Sequence, residues 1–546
     1  MDLKGYLEQH SMETMTLLGD EAVAIGAIHG GLSRAYSYPG TPATEILEFL
    51  MSYERKHGGP KASWSANEKT AYEEALGVSL AGKRALVSMK HVGLNVAADP
   101  FINSSVVQLN GGLVVAVADD PGMHSSQDEQ DSRFYADFAK AICLEPCDQQ
   151  EAYEMTKDAF TLSERFKIPV MIRLVTRIAH SRAIVKVAGN NTENQVQKSS
   201  DRGSWILIPA NAKKLWKKRL NQEKEIVSEL ANSKYNSLYL NVDNKEFGVI
   251  TTGLAKNYYL ENLPDLSVKP SHLHLGAYPI SNEQVLKLFK HVQKVLVIEE
   301  GYPFVEKRFR GIEAGRVEIQ GKETGHVKRD GELTPEIVRA ALGLTERKKL
   351  AAVEEAEKIP ARPPQLCAGC PHIDTFDALK KALTNYPNSV VTSDIGCYTL
   401  GALPPYNAIE SCVCMGASVG MAKGAADAGL TPAVAVIGDS TFIHSGISPL
   451  IDAINSDTNM TLIILDNQAV AMTGGQTTIM SSARLQSTLL GLGVDKDHFH
   501  VLNAHRNATE KNTEIIKSEL DHKGLSVIVA VRECLETAKK KKKTTH

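Results

Sequence analysis

Short runs of consecutive apolar residues, rich in valine, isoleucine and leucine, recur along this chain at intervals long enough to hold a helix. They fall at 35–38, 84–89, 112–118 and 170–174, then at 248–252 and 294–300, and again at 433–437, 461–466 and 526–531. A strand buried on both faces shows no polar alternation, and such strands spaced by helix-length polar segments predict parallel sheets covered by helices. The pattern predicts an α/β protein of three doubly wound parallel-sheet domains, at 14–183, 246–345 and 365–536. The polar, basic stretch 184–245 is helical in pattern and predicts a connector. A charged segment leading into Ile359-Pro360-Ala361-Arg362-Pro363-Pro364 predicts a stiff linker over 346–364. The lysines at 539–543 predict a disordered, solvated tail over 537–546.

Length agrees with this division, since single cores stop growing at about 250 to 300 residues and the chain has 546. With 43% apolar and 23% charged residues and a net charge of −3, the composition is that of a globular protein without a basic stripe for nucleic acid. No apolar run reaches membrane-spanning length, and the N-terminus lacks the charged, apolar and small-residue succession of a secretion signal, which points to the cytoplasm. Eight cysteines are too few for a disulfide framework. Their distribution, Cys143 and Cys147, then Cys367, Cys370, Cys397, Cys412, Cys414 and Cys534, points instead to metal or cofactor ligation.

Two of the apolar runs end in chemistry. Gly438-Asp439-Ser440 closes 433–437, and Asn467 closes 461–466, 28 positions after the aspartate. A carboxylate and an amide carbonyl at the carboxyl ends of neighbouring parallel strands can reach one octahedral Mg²⁺, with the backbone carbonyl of Ala469 and two phosphate oxygens as further ligands. The glycine would let the backbone approach the phosphates. A strand-to-helix turn capped by Asp explains a lone Gly-Asp-Ser, but not the paired Asn or the Met472-Thr473-Gly474-Gly475-Gln476 that follows. The spacing resembles the thiamine diphosphate signature, with Ser440 in place of its usual third glycine. Cys367-Ala368-Gly369-Cys370-Pro371-His372 sets two thiols around a glycine, a geometry shared by zinc sites, iron–sulfur clusters and redox dithiols. Cys412-Val413-Cys414 is spaced too tightly for a zinc knuckle, and these two cysteines are expected to be small buried residues.

Taken in order, the Cys-x-Gly-Cys-Pro-His motif, Ser393-Asp394-Ile395-Gly396-Cys397-Tyr398 and Cys412-Val413-Cys414-Met415-Gly416 resemble the thiamine-binding domain of the indolepyruvate ferredoxin oxidoreductase alpha subunits. Upstream, Ser37-Tyr38-Pro39-Gly40-Thr41-Pro42, Asn67-Glu68-Lys69 and Ser88-Met89-Lys90-His91-Val92-Gly93 are similar to that family's pyrimidine-side domain. The resemblance covers about residues 14 to 536 and makes two of the three domains thiamine diphosphate-binding folds, a pyrimidine domain and a diphosphate domain, with a transketolase C-terminal-like domain between them.

The resemblance implies thiamine diphosphate held by Mg²⁺ on Asp439, Asn467 and Ala469. Gly438, Ser440, Gly396, Tyr398 and Met415 would lie at the coenzyme, and Glu68 would be the carboxylate that activates the aminopyrimidine. It implies a [4Fe-4S] cluster on Cys367, Cys370, Cys397 and Cys534, and substrate groups at Thr41, Lys90 and His91. The implied reaction is oxidative decarboxylation of a 2-oxoacid, an arylpyruvate such as indolepyruvate, to acyl-CoA and CO₂, with electrons leaving through the cluster to an external low-potential acceptor. A decarboxylase without a cluster, releasing an aldehyde, is the alternative. Implied partners are a smaller beta subunit, in an α2β2 assembly, and ferredoxin or another electron-carrier subunit. Relatives continue into a ferredoxin-like segment with two Cys-x-x-Cys-x-x-Cys runs, and no such run occurs in this sequence.

Overall fold

The computed structural model describes residues 13–189, 191–197, 201–312, 316–347 and 364–544, without the side chains of 13, 202 and 542–544. The chain divides into two compact units, Met1–Leu350 and Ala351–His546. Nearly all of the predicted 346–364 linker lies outside the described residues.

The first unit holds two large sheets. One has seven strands in the order Ala277–Tyr278, Ile142–Leu144, Val170–Val175, Leu113–Asp119, Ala85–Lys90, Arg34–Ser37 and Lys61–Trp64. All neighbours are parallel except Ala277–Tyr278 against Ile142–Leu144. The three strands Val170–Val175, Leu113–Asp119 and Ala85–Lys90 are buried at every position, as their mainly apolar sequences predict. Each fully buried Val, Leu or Ile there contributes about 1.5 to 3 kcal/mol over exposure. The other sheet has five strands, Glu318–Gln320, Lys294–Ile298, Phe247–Thr252, Ser271–Leu275 and Asn236–Tyr239, the last pairing antiparallel.

Two strands cross the boundaries predicted from sequence. Asn236–Tyr239, from the stretch expected to be a helical connector, edges the second sheet, and Ala277–Tyr278 edges the first. The connector does contain a long helix, Pro209–Ala231, but it opens on the strand Arg182–Val187, which pairs with Glu13–Leu18.

A buried charge cluster joins the ends of these sheets. Arg173 bonds Asp119 at 2.7 Å and Glu145 at 2.6 Å, and Arg133 bonds Asp131 at 2.5 Å and Glu299 at 3.1 Å. All six side chains are buried.

The second unit is built on an all-parallel sheet, Val390–Ser393, Ala433–Gly438, Met460–Asp466, Leu525–Val531 and Phe499–Asn503, with a small antiparallel pair, Ala469–Val470 and Gln476–Thr477, beside it. Parallel strands put all their carboxyl ends on one edge, so Asp394, Asp439, Asn467 and Cys534 emerge on the same side. The lysine segment expected to be a disordered tail is instead helical, in Leu535–Thr544. Its side chains reach the glycine loop, where Lys540 Nζ donates to the Gly474 carbonyl at 2.7 Å. Among the described residues no helix is long and apolar enough to cross a membrane.

Candidate active site

Asp439 opens the helical segment that follows Ala433–Gly438 and is 3% exposed. Burial, and next the neighbouring Asp466 carboxylate, push its pKa up to about 8. Asp466 carries a buried oxygen, Oδ2, with no hydrogen-bond partner. Two crowded carboxylates with an unsatisfied oxygen fit a cation, whose charge would return Asp439 to its ionised form. The chain turns sharply here, with Gln468 in the left-handed region at φ 58°, and the Gln468 N–H donates to Asp439 Oδ2 at 3.2 Å. Asn467 Oδ1 accepts from the Ala469 N–H at 3.1 Å, so its carbonyl faces the loop that carries the Ala469 carbonyl. These donors fit Mg²⁺.

Gly438 also has a packing reason to be glycine. A Cβ there would stand 2.7 Å from the Tyr398 ring, and the same ring fills the Cβ space at Gly396. Both glycines make room for Tyr398, which is buried and donates its hydroxyl proton to Asp394. Asp394, raised to about 6 by burial, also accepts from Ser418 Oγ at 2.6 Å. Ser440 lies in the first helical turn, and Met415 in the turn before helix Ala417–Asp427.

Beside this edge, Cys367, Cys370, Cys397 and Cys534 line one cavity of about 100 Å³, together with His372 and Asn467. Cys370 is the N-cap of helix Pro371–Leu383, and its backbone carbonyl accepts the Ile373 N–H at 3.1 Å. Burial, with neighbouring thiols adding, pushes Cys370 up to about 11 and Cys397 up to about 12. Four thiols sharing one cavity suit a cationic iron core, which would hold them as thiolates. Cys412 and Cys414 are exposed, which corrects the expectation that both are buried. They lie in a loop before Gly416, whose left-handed φ of 88° lets it pack against the Ser445 backbone.

The first unit presents its own residues at the carboxyl ends of parallel strands. Glu68 begins helix Glu68–Leu80, is 5% exposed, and lies against Gly93, where a Cβ would stand 2.6 Å from Oε1. Lys90 ends the strand Ala85–Lys90, and its Nζ donates to the Ser125 carbonyl at 2.7 Å. Burial lowers its pKa, against the pull of Asp120 and Asp128. Ser125 Oγ in turn donates to the Thr41 carbonyl at 3.4 Å. His91 is buried, with Nε2 3.3 Å from the Asp128 carbonyl oxygen. Thr41, Lys90 and His91 are thus gathered by the loop 120–132, which the sequence reading did not single out because it carries no recognisable motif. Asp394, Asp466 and His372 were missed as well; the first and last lie inside the quoted motifs.

Cys147, Glu151 and His274 also converge, with donor atoms within 4.8 Å of one another. The Lys256 ammonium already takes the cation's place there, 3.8 Å from the thiol and 3.5 Å from Glu151.

The family described as "Pyruvate flavodoxin/ferredoxin oxidoreductase, thiamine diP-bdg" matches residues 25–236, and "Thiamine pyrophosphate enzyme, C-terminal TPP binding domain" matches residues 394–530. These two matches define the class, a thiamine diphosphate enzyme built from the modules of the 2-oxoacid oxidoreductases. "Indolepyruvate oxidoreductase subunit IorA" of Archaeoglobus fulgidus is 36% identical over 96% of this chain and 86% of its own. The same subunit of Thermococcus kodakarensis is 37% identical over the same shares. A solved 2-oxoglutarate:ferredoxin oxidoreductase from Magnetococcus marinus, with 2-oxoglutarate, coenzyme A and succinyl-CoA bound, has 19% identity and a TM-score of 0.49 over 60% of this chain and 65% of that one. The chain belongs to the indolepyruvate oxidoreductase subunit IorA family of the 2-oxoacid:ferredoxin oxidoreductases.

Proposed function

We propose that this chain is the catalytic alpha subunit of a cytoplasmic oxidoreductase that oxidatively decarboxylates a 2-oxoacid, with arylpyruvates such as indolepyruvate as preferred substrates. Coenzyme A takes the acyl group, a smaller beta subunit completes an α2β2 assembly, and ferredoxin or another carrier takes the electrons. The observation that carries this reading is the convergence of Cys367, Cys370, Cys397 and Cys534 on one cavity that also reaches Asn467. A decarboxylase without redox chemistry has no use for four thiols at its coenzyme.

Thiamine diphosphate, when bound, supplies the carbon nucleophile and the electron sink for loss of CO₂. Asp439, Asn467 and the Ala469 carbonyl would hold its Mg²⁺, and the four cysteines would hold a [4Fe-4S] cluster. Glu68 would hold a proton at N1′ of the aminopyrimidine, the hydrogen bond that favours the reactive ring form. Lys90, fixed by Ser125, would offer a cation to the substrate carboxylate, and Thr41 and His91 would offer further donors to its oxygens.

The test is anaerobic purification with the beta subunit, followed by iron and sulfide analysis and viologen reduction with aryl, branched and small aliphatic 2-oxoacids, with and without coenzyme A. We expect about four irons and four sulfides per chain, and dye reduction fastest with arylpyruvates in the presence of coenzyme A. Aldehyde release by iron-free protein with no dye reduction would establish the non-oxidative alternative.

A further inference from the structure

The helix Leu535–Thr544 starts one residue after Cys534, and its first residues, Leu535 and Glu536, line the same cavity as the four thiols. It carries lysines at 539–543. Glu536 pairs with Lys539 at 2.7 Å and Glu533 pairs with Lys541, so five lysines against two acids leave a local excess of three positive charges (5 − 2). At about 1.5 Å of rise per residue these lysines stand roughly 7 to 14 Å along the helix axis from Cys534. The nearer ones are therefore within about one Debye length, ~8 Å at physiological ionic strength, of the cavity. Cys367 is the exposed member of the thiol set. The helix is seated on the chain: Lys540 holds the Gly474 carbonyl, and Thr537 lies where a Cβ on Gly475 would stand 3.0 Å away.

We propose that this lysine helix is the docking surface for an electron carrier with an acidic face, and that it brings the carrier to the exposed edge of the thiol cavity at Cys367. The proposal rests on reading the four thiols as cluster ligands. Each encounter moves one electron from the reduced cluster to the carrier, with no bond made or broken. A positive patch beside the exit point raises the association rate of a negatively charged partner by about 10- to 1,000-fold, an advantage that salt removes.

The test uses the assembled enzyme and two acceptors, an acidic two-cluster ferredoxin and methyl viologen, a small dication that needs no basic patch. The Lys539→Gln/Lys540→Gln/Lys541→Gln variant should lose about 10-fold or more in kcat/KM for ferredoxin at low salt. Its salt dependence should flatten, its ferredoxin Kd should rise, and its dye reduction should stay as in the wild type. The corresponding triple Lys→Arg variant keeps the charge and should keep ferredoxin reduction, which separates charge from helix packing. Wild-type ferredoxin kinetics and salt slope in the Gln variant would overturn the proposal, as would equal losses in the Gln and Arg variants. Wild-type protein that holds no iron and reduces neither acceptor would instead sink the cluster reading beneath it.

Discussion

Substituting Gly93→Ala tests the assignment of Glu68 without touching the carboxylate. The new Cβ would stand 2.6 Å from Glu68 Oε1, 2.7 Å from its Cγ and 2.9 Å from its Cδ. Carbon atoms in contact prefer about 3.5 to 4.0 Å, so Cγ must retreat by roughly 1 Å. Glu68 is 5% exposed and anchored in the first turn of its helix, where the Asn67 side chain accepts from the Thr70 N–H at 2.8 Å, so it has little room to do so. Alanine gains about 1 kcal/mol over glycine in a helix, whereas overpacking costs about 1 to 3 kcal/mol. Net stability therefore falls only slightly. A catalytic group displaced by about 1 Å loses on the order of 100-fold in rate. The direct assay is proton NMR of hydrogen–deuterium exchange at C2 of thiamine diphosphate in the Mg²⁺-loaded protein, with thermal unfolding alongside. We expect exchange slowed about 100-fold with an unfolding midpoint lowered by a few degrees. Exchange at the wild-type rate in Gly93→Ala, or in Glu68→Gln, would refute the assignment.

Three further outcomes follow from the geometry. His372→Ala removes the imidazole whose Nε2 stands 3.4 Å from Asn467 Nδ2 and should weaken Mg²⁺-dependent coenzyme binding about five-fold, the worth of one hydrogen bond; equal affinities by calorimetric titration would contradict this. Arg173→Met strands the buried Asp119 and Glu145 and should cost about 3 to 5 kcal/mol in urea unfolding, so a loss under 1 kcal/mol would show the cluster to be dispensable. Glu300 is raised from 4.5 to about 7, chiefly by burial. A carboxyl whose folded pKa exceeds its unfolded one takes up protons on folding, so its contribution to stability falls as pH rises from 4.5 to 7 and is level above that. Glu300→Gln should remove that slope from the stability profile, and an unchanged profile would count against the burial.

Legibility of the fold in the sequence tracked burial. Ala85–Lys90, Leu113–Asp119, Ala433–Gly438 and Met460–Asp466 are buried throughout, and their mainly apolar sequences placed them to within a residue or two. Lys61–Trp64 alternates exposed and half-buried positions at a sheet edge, and Phe499–Asn503 is half-exposed at another, so neither carries an apolar run to find. The two-residue strand Ala277–Tyr278 exists only because Ile142–Leu144 offers it an edge, a tertiary cause that no local pattern records. The lysine segment followed the same logic in reverse, because its solvated composition hid a helix that contacts with the Gly474 loop hold in place. Candidate site residues stand out in the sequence where they sit in motifs at element ends: Asp439 and Asn467 follow strands, and Cys370 caps the helix Pro371–Leu383. The loop that grips Lys90 and His91 does not, because it acts through the backbone carbonyls of Ser125 and Asp128, which any residue could supply.

The all-parallel sheet of the second unit explains why the proposed coenzyme clamp and the thiol cavity share a residue. Met460–Asp466 and Leu525–Val531 pair in register to their last residues, Asp466 opposite Val531. The next backbone bonds continue that register past the sheet, Arg532 N–H to the Asp466 carbonyl at 3.0 Å and Cys534 N–H to the Asn467 carbonyl at 3.0 Å. Asn467 therefore faces both ways: its amide oxygen turns to the Ala469 loop, its amide nitrogen to His372, and its backbone carbonyl to Cys534. Asn467 is 7% exposed, so the proposed metal clamp and the thiol cavity meet at one buried residue. In the proposed reaction a carbon centre that releases electrons and a cluster that receives them would need a fixed separation, and two neighbouring strand ends in register would provide it more rigidly than loops could.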